Sequence, residues 1–154
     1  MMKIPSPLIA IIAFISGLIL FNFIVFMLGY LAAIPIPREY FLWFGREHIV
    51  TALVVDDLFL NAIPKFIATF VWTLCTILIF RNRYALTTAF CFLGYWCAYV
   101  YLCWNDDFLV SHLAQVFLQP WYLPGLLADL CGIILAGIGF YKFQRGKQAS
   151  LHLA

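Results

Sequence analysis

The residue with the clearest potential for chemistry is Asp129, a carboxylate inside a long apolar stretch. Between Leu123 and Phe143 the only other charged side chain is Lys142. An ionisable group at membrane depth is costly, turns towards protein or a water-filled cavity, and is a candidate for handling protons or cations. The alternative is a structural carboxylate, held by hydroxyl groups of neighbouring helices. Both interpretations require a helix that turns Asp129 inwards.

Small residues accompany Asp129 at helical spacing, which predicts the face that points inwards. Glycine and alanine let helix backbones approach closely, as is common between helices in membranes. On this stretch the small residues are Gly125, Ala128, Gly132, Ala136 and Gly139. The preceding apolar stretch has a second small face, formed by Thr87, Cys91, Gly94 and Ala98. We expect the two faces to meet, with Tyr95, Tyr99 and Asn22 as polar neighbours of Asp129.

A second group of candidate residues is acidic and lies outside the apolar stretches. Carboxylates and imidazoles can bind Zn²⁺ or Mn²⁺, but no pair here has the spacing of a metal motif such as H-E-x-x-H. We therefore predict no metal site. We interpret the group as an acidic rim that could contact a basic partner. Its members are Asp56, Asp57, Asp106, Asp107 and His112.

Other chemistry has little support in the sequence. The five cysteines contain no C-x-x-C pair, so we interpret them as small buried hydrophobic residues and not as a redox site. The three histidines lie outside the apolar stretches, which argues against haem ligation within a bundle. There is no Walker-type glycine loop and no G-x-S-x-G motif. The sequence thus predicts no catalytic residues and no cofactor, although a quinone site lined by Trp, Tyr and Asp stays open.

Composition defines the environment of these residues. The chain of 154 residues is 66% hydrophobic and 10% charged, with a mean hydropathy of +1.00. A soluble domain would carry about 25% charged residues. We therefore predict an all-α integral membrane protein whose partners are the lipid bilayer and other membrane proteins, and not nucleic acid.

The apolar runs predict a four-transmembrane-helix bundle in a single membrane domain, 1–154. A spanning helix needs about 20 residues, and the predicted spans are about 8–34, 62–80, 84–104 and 121–143. The first run exceeds the roughly 7–15 residues of a signal-peptide core. Between the first two spans, charged residues alternate with Tyr40, Phe41, Trp43 and Phe44. This pattern predicts an amphipathic segment in the membrane interface.

Charge asymmetry predicts the orientation. An even number of spans puts both termini on one side, and Lys and Arg favour the cytoplasmic side. The termini and the 81–83 turn contain Lys3, Arg81, Arg83, Lys142, Arg145 and Lys147 but no acid. Every acid except Asp129 falls in the two other connections. We expect cytoplasmic N- and C-termini, in a bacterial-type inner membrane.

These features favour a non-catalytic accessory or assembly subunit of a larger membrane complex. Small size, small-residue helix faces and acidic, aromatic outer loops all suit lateral and outward contacts. The topology, with a short basic inner turn and acidic outer loops, is similar to that of immunity proteins against pore-forming bacteriocins. That resemblance implies a toxin as the alternative partner. A transporter or channel component using Asp129 is a further alternative, followed by an enzyme acting on lipid or quinone.

Overall fold

The computed structural model describes residues 5–34, 37–44, 48–104 and 123–151, and these contain helices and turns but no strand. The helices are α1 (Ser6–Ala32), α2 (Arg38–Phe44), α3 (Ile49–Asp57), α4 (Ile63–Ile79), α5 (Tyr84–Trp104) and α6 (Leu123–Leu151). A π-helical turn, Leu58–Ala62, joins α3 to α4, and a 3-10 turn, Arg81–Arg83, joins α4 to α5.

Four helical segments are long and apolar enough to cross a bilayer. They are Ser6–Leu31, Ile49–Ile79, Arg81–Leu102 and Leu127–Gly146. This confirms the prediction of an all-helical bundle with four helices of spanning length and hydrophobicity.

The helices pair out of chain order, with α1 against α5 and α4 against α6. Gly17 of α1 lies against the backbone of Cys91 and Tyr95, and Gly94 of α5 lies against the backbone of Phe14. A β-carbon at either glycine would meet backbone atoms, which cannot rotate away as a side chain can. The two glycines therefore allow α1 and α5 to touch through their main chains.

The small face of α6 packs mainly against α4, and not against the small face of α5 as the sequence suggested. Gly132 lies against Thr69 and the Phe66 carbonyl, and Gly125 lies against Asn61. Ala136 is fully buried, whereas Gly139 has open space where a side chain would be. The expected meeting of Gly94 with α6 does not occur, because α1 already occupies the face of α5 that contains Gly94.

The segment before α4 also differs from the sequence prediction. From Ile49 onwards it is not a separate interfacial element, since α3 continues into α4 through the π-helical turn. Pro64 lacks an N–H and cannot donate the usual intrahelical hydrogen bond. In the structure the Ile63 N–H bonds to the Leu58 carbonyl. This wider turn lets the helix continue past the proline.

A side-chain hydrogen bond joins the short helix α2 to α3. The Tyr40 hydroxyl donates to the Ala52 carbonyl at 3.0 Å. Burial, and then the charge of Asp56, raise the pKa of Tyr40, so the hydroxyl stays protonated and able to donate well above neutral pH. Leu42 and Trp43 are exposed on α2.

The core lies where α1, α5 and α6 converge. It contains Leu20, Phe21, Ile24, Cys91, Tyr95 and Ile133. Of the cysteines whose exposure is described, only Cys91 is buried; Cys75, Cys97 and Cys131 are exposed. The interpretation of all five as buried hydrophobic residues is therefore wrong for these three, which lie on outward faces of their helices.

Candidate functional site

Asp129 is buried between α6 and α4, where it meets a cation. Its residue exposure is 3%. The Lys65 Nζ lies 3.8 Å from Asp129 Oδ2, and the two side chains are 17% and 5% exposed. Tyr95 of α5 also lies within electrostatic reach of Asp129. Two charges in a low-dielectric interior attract strongly, so Lys65 offsets the cost of burying the carboxylate.

A second polar contact lies one turn further towards the start of α6. Asp57 accepts hydrogen bonds from the Asn61 side-chain amide at 2.7 Å and from the Gly125 backbone N–H at 3.2 Å. The Gly125 N–H is at the start of α6, where the first amide groups lack intrahelical partners and carry partial positive charge. Asp57 therefore acts as a cap supplied by another helix.

The π-helical turn brings these residues to one side. Asp57, Asn61 and Lys65 are four residues apart in sequence, and in a continuous α-helix such a series drifts around the axis. The wider π turn winds more slowly and offsets that drift. The three side chains can therefore face α6 together. We call Asp57, Asn61, Lys65, Asp129 and Gly125 the polar cluster.

Two oxygens of the polar cluster are buried and accept no hydrogen bond from the described residues. They are Asp129 Oδ1 and Asn61 Oδ1. A buried acceptor without a donor costs about 1–3 kcal/mol. A water molecule or a transferable proton would supply the missing donor to these oxygens. Among the described residues of the interface between α4 and α6, these two oxygens are the buried acceptors left without a donor.

Beyond Lys65, α4 carries polar side chains where it contacts other helices, and these side chains form hydrogen bonds within the protein. Thr69 and Thr76 donate to carbonyls one turn back on their own helix, at 2.8 and 2.9 Å, the local bonding that threonine makes inside helices. The Ser16 hydroxyl contacts Thr76 Oγ1 at 3.1 Å and accepts from Trp72 Nε1 at 2.9 Å. These bonds tie α1 to α4.

Of the three predicted polar neighbours of Asp129, only some lie near it. Tyr95 lies within electrostatic reach of Asp129, whereas Tyr99 lies against the rings of Phe21 and Trp96. Asn22 is exposed on α1 and donates to its own Leu18 carbonyl at 2.8 Å, so it is not part of the polar cluster.

The predicted acidic rim is also divided. Asp57 belongs to the polar cluster, because Asn61 and Gly125 bind it, and Asp56 is half-buried. Asp106, Asp107 and His112 lie outside the described residues.

Sequence reasoning missed Asn61 and Lys65, which fall where the predicted amphipathic segment meets the second predicted span. The four-residue intervals from Asp57 to Asn61 and from Asn61 to Lys65 could have revealed them, but Pro64, which lacks an N–H, argues against a continuous helix. Gly17 was also missed, although Ala10, Ala13 and Gly17 form a small-residue series on one face of α1.

Within the described ranges, no group of three or more His, Cys, Asp or Glu side chains could hold a metal ion. No family model matches the chain, and neither the curated proteins nor the solved structures include a significant match.

Proposed function

We propose that this chain is an integral membrane protein of a bacterial-type inner membrane, and that it serves as a non-catalytic subunit associating laterally with another membrane protein. The observation that carries the proposal is the exposed amide of Asn22, halfway along α1 on an otherwise apolar outer face.

The outer face of α1 has the pattern of a helix-packing seam. Its residues are spaced alternately four and three apart, as in a heptad repeat. All of them are exposed: Leu8, Ile12, Ile15, Ile19, Asn22, Phe26 and Gly29. We call this set the outer seam. The opposite face is buried, and Gly17 on it contacts α5, so the outer seam is the face left for a partner.

Asn22 distinguishes the outer seam from an ordinary lipid-facing surface. Its hydrogen bond to the Leu18 carbonyl uses the amide nitrogen, while the carbonyl oxygen would face hydrocarbon. An unpaired amide there is costly. A polar group on a facing helix would satisfy it, and interhelical bonds of this kind join helices in membranes. A single Asn in a heptad seam also fixes the register of a helix pair.

The polar cluster fits a supporting role in this proposal. Asp129 is compensated by Lys65, and Asp57 caps α6, so both carboxylates already have structural partners. Catalysis would need a nucleophile or a general base in reach of a substrate, whereas these two carboxylates are engaged in structural contacts.

Co-purification tests the proposal. The chain should leave mild detergent with a stoichiometric membrane partner, and Asn22→Leu should reduce recovery of that partner at equal expression. Ile67→Leu, at an exposed position on α4, serves as the matched control and should retain the partner. A lone monomer, a homo-oligomer without another protein, or an unchanged Asn22→Leu complex would each contradict the proposal.

A second candidate function is proton or cation movement at Asp129, which the two unpartnered oxygens of Asp129 and Asn61 favour. In vesicles containing a pH-sensitive dye, the wild type would then carry a flux that Asp129→Asn abolishes. Asn22→Leu should leave such a flux unchanged. Equal dye responses in protein-containing and empty vesicles would remove this candidate.

A further inference from the structure

An apolar groove of about 780 Å³ opens between α5 and α6 on the side of the bundle. It exists because these helices pack mainly against other partners, α5 against α1 and α6 against α4. Its walls include Ala85, Ala89, Ile134 and Ile138. Thr88 adds little polarity, since its hydroxyl donates to the Tyr84 carbonyl at 2.8 Å. The volume lies within the range of about 300–1,000 Å³ typical of ligand sites.

One end of the groove is aromatic and basic. Tyr84 and Tyr141 line it there, with their ring centroids 6.1 Å apart. The Arg145 guanidinium lies over the Tyr141 ring, 5.0 Å from its centroid. Arg81 and Arg83 belong to the adjoining turn, and the Gln144 side-chain amide donates to the Arg81 carbonyl at 3.2 Å. The turn and the last part of α6 are therefore fixed side by side.

The charge at this end is of one sign. Arg81, Arg83, Lys142 and Arg145 are exposed there. Among the described residues, the acids Glu39, Asp56, Asp57 and Asp129 belong to α2, α3 and the start of α6, towards the other end of the bundle. An anion next to the groove would meet several cations and, among the described residues, no carboxylate.

We propose that the groove binds one anionic phospholipid, with an acyl chain against α5 and α6 and the phosphate at Arg145 and the 81–83 turn. An apolar groove with a basic end matches both parts of that molecule, and basic pockets between transmembrane helices bind anionic headgroups. Tyr84 and Tyr141 would lie at the headgroup level, where amphipathic rings are favoured. Guanidinium groups bind phosphate through paired hydrogen bonds.

This inference rests on the proposed membrane location but not on a lateral protein partner. Extraction of membranes with alkaline carbonate tests the location separately: release of the chain would contradict the location. The lipid experiment uses purified protein in detergent, so loss of a protein partner has no bearing on it.

Native mass spectrometry of the purified chain, titrated with phosphatidylglycerol or phosphatidylcholine of identical acyl chains, tests the site. Phosphatidylglycerol should bind more tightly. Arg145→Gln should weaken it about five-fold, the effect of one basic residue at an anionic surface, and Arg145→Lys should retain most of the affinity. Ala89→Phe should block the groove and reduce binding of both lipids, whereas Val71→Phe, exposed on α4, should not.

Equal binding of the two lipids would overturn the headgroup assignment, and unchanged binding by Ala89→Phe would overturn the groove. If Ala89→Phe fails to fold, Ala85→Phe fills the neighbouring part of the same groove and is read in the same way.

Discussion

At the scale of single residues, the contact between Lys65 and Asp129 explains how a carboxylate survives inside an apolar interface. A buried ion pair contributes little more than a hydrophobic pair of the same shape, because both charges lose water. Removing one member is different, since the other is left charged and unpaired. The pair therefore behaves as a unit, and its members should be changed together as well as singly.

We predict that Asp129→Leu and Lys65→Met each lower the free energy of unfolding by about 3 kcal/mol, the low end for breaking a buried pair. The double variant Lys65→Met/Asp129→Leu should recover most of that loss. Thermal unfolding in detergent micelles measures all three. Additive losses in the double variant would show that the two side chains do not act as a pair.

Asp57 gives a second prediction at this scale. Asp57→Ala removes the acceptor of the Asn61 amide and of the Gly125 N–H. Hydrogen bonds to charged groups contribute about 1.5–3 kcal/mol, so unfolding should become easier by about 2 kcal/mol. Asp56→Ala, the adjacent half-buried carboxylate, is the matched control and should cost less. Equal losses would mean that Asp57 does not cap α6.

At the scale of elements, the helices were easier to predict from the sequence than their pairing. Long apolar runs specify α1 and α5 directly, because few other structures bury backbone polar groups in lipid. The continuation of α3 into α4 was hidden by Pro64 and by the charged residues around it. The choice of α1 as partner for α5 depends on backbone contact at Gly17 and Gly94. A pattern of small residues marks such a face but does not identify the helix that faces it.

The glycine contacts predict a contrast between two similar substitutions. Gly94→Ala places a β-carbon against the Phe14 backbone, and overpacking of this kind costs about 1–3 kcal/mol. Gly139→Ala meets open space and should be neutral or stabilising by up to about 1 kcal/mol, since alanine is the better helix former. Unfolding of both variants in the same detergent gives the comparison. A neutral Gly94→Ala would contradict the close approach of α1 and α5.

At the scale of the whole molecule, charge is separated along the bundle. Basic residues follow α4 and end α6, while the described acids lie towards the opposite end. This asymmetry was readable from the sequence, because it needs only the order of charged residues and apolar runs. The polar cluster was harder to predict from the sequence, because Lys65 and Asp129 lie on different helices and their contact depends on how those helices pack.

The charge separation predicts the orientation of the chain in the membrane. Green fluorescent protein fused to the C-terminus should fluoresce, and alkaline phosphatase at the same position should stay inactive, because a cytoplasmic C-terminus is expected from the Lys/Arg distribution. Changing Arg81, Arg83 and Arg145 together to Gln should weaken that preference. The opposite reporter pattern in the unaltered chain would reverse the proposed topology.

The interleaved pairing of helices has a consequence for synthesis of the protein on the ribosome. Helices adjacent in the chain are not each other's main packing partners in the bundle. Therefore α1 leaves the ribosome long before its partner α5, and α4 leaves it long before its partner α6. Until α6 emerges, Lys65 has no carboxylate from Asp129 and the α4 face carries unshielded polar groups. A nascent chain stopped before Leu123 should therefore be a target for membrane proteases and insertion chaperones. Its half-life in pulse–chase labelling should lengthen abruptly once α6 is included.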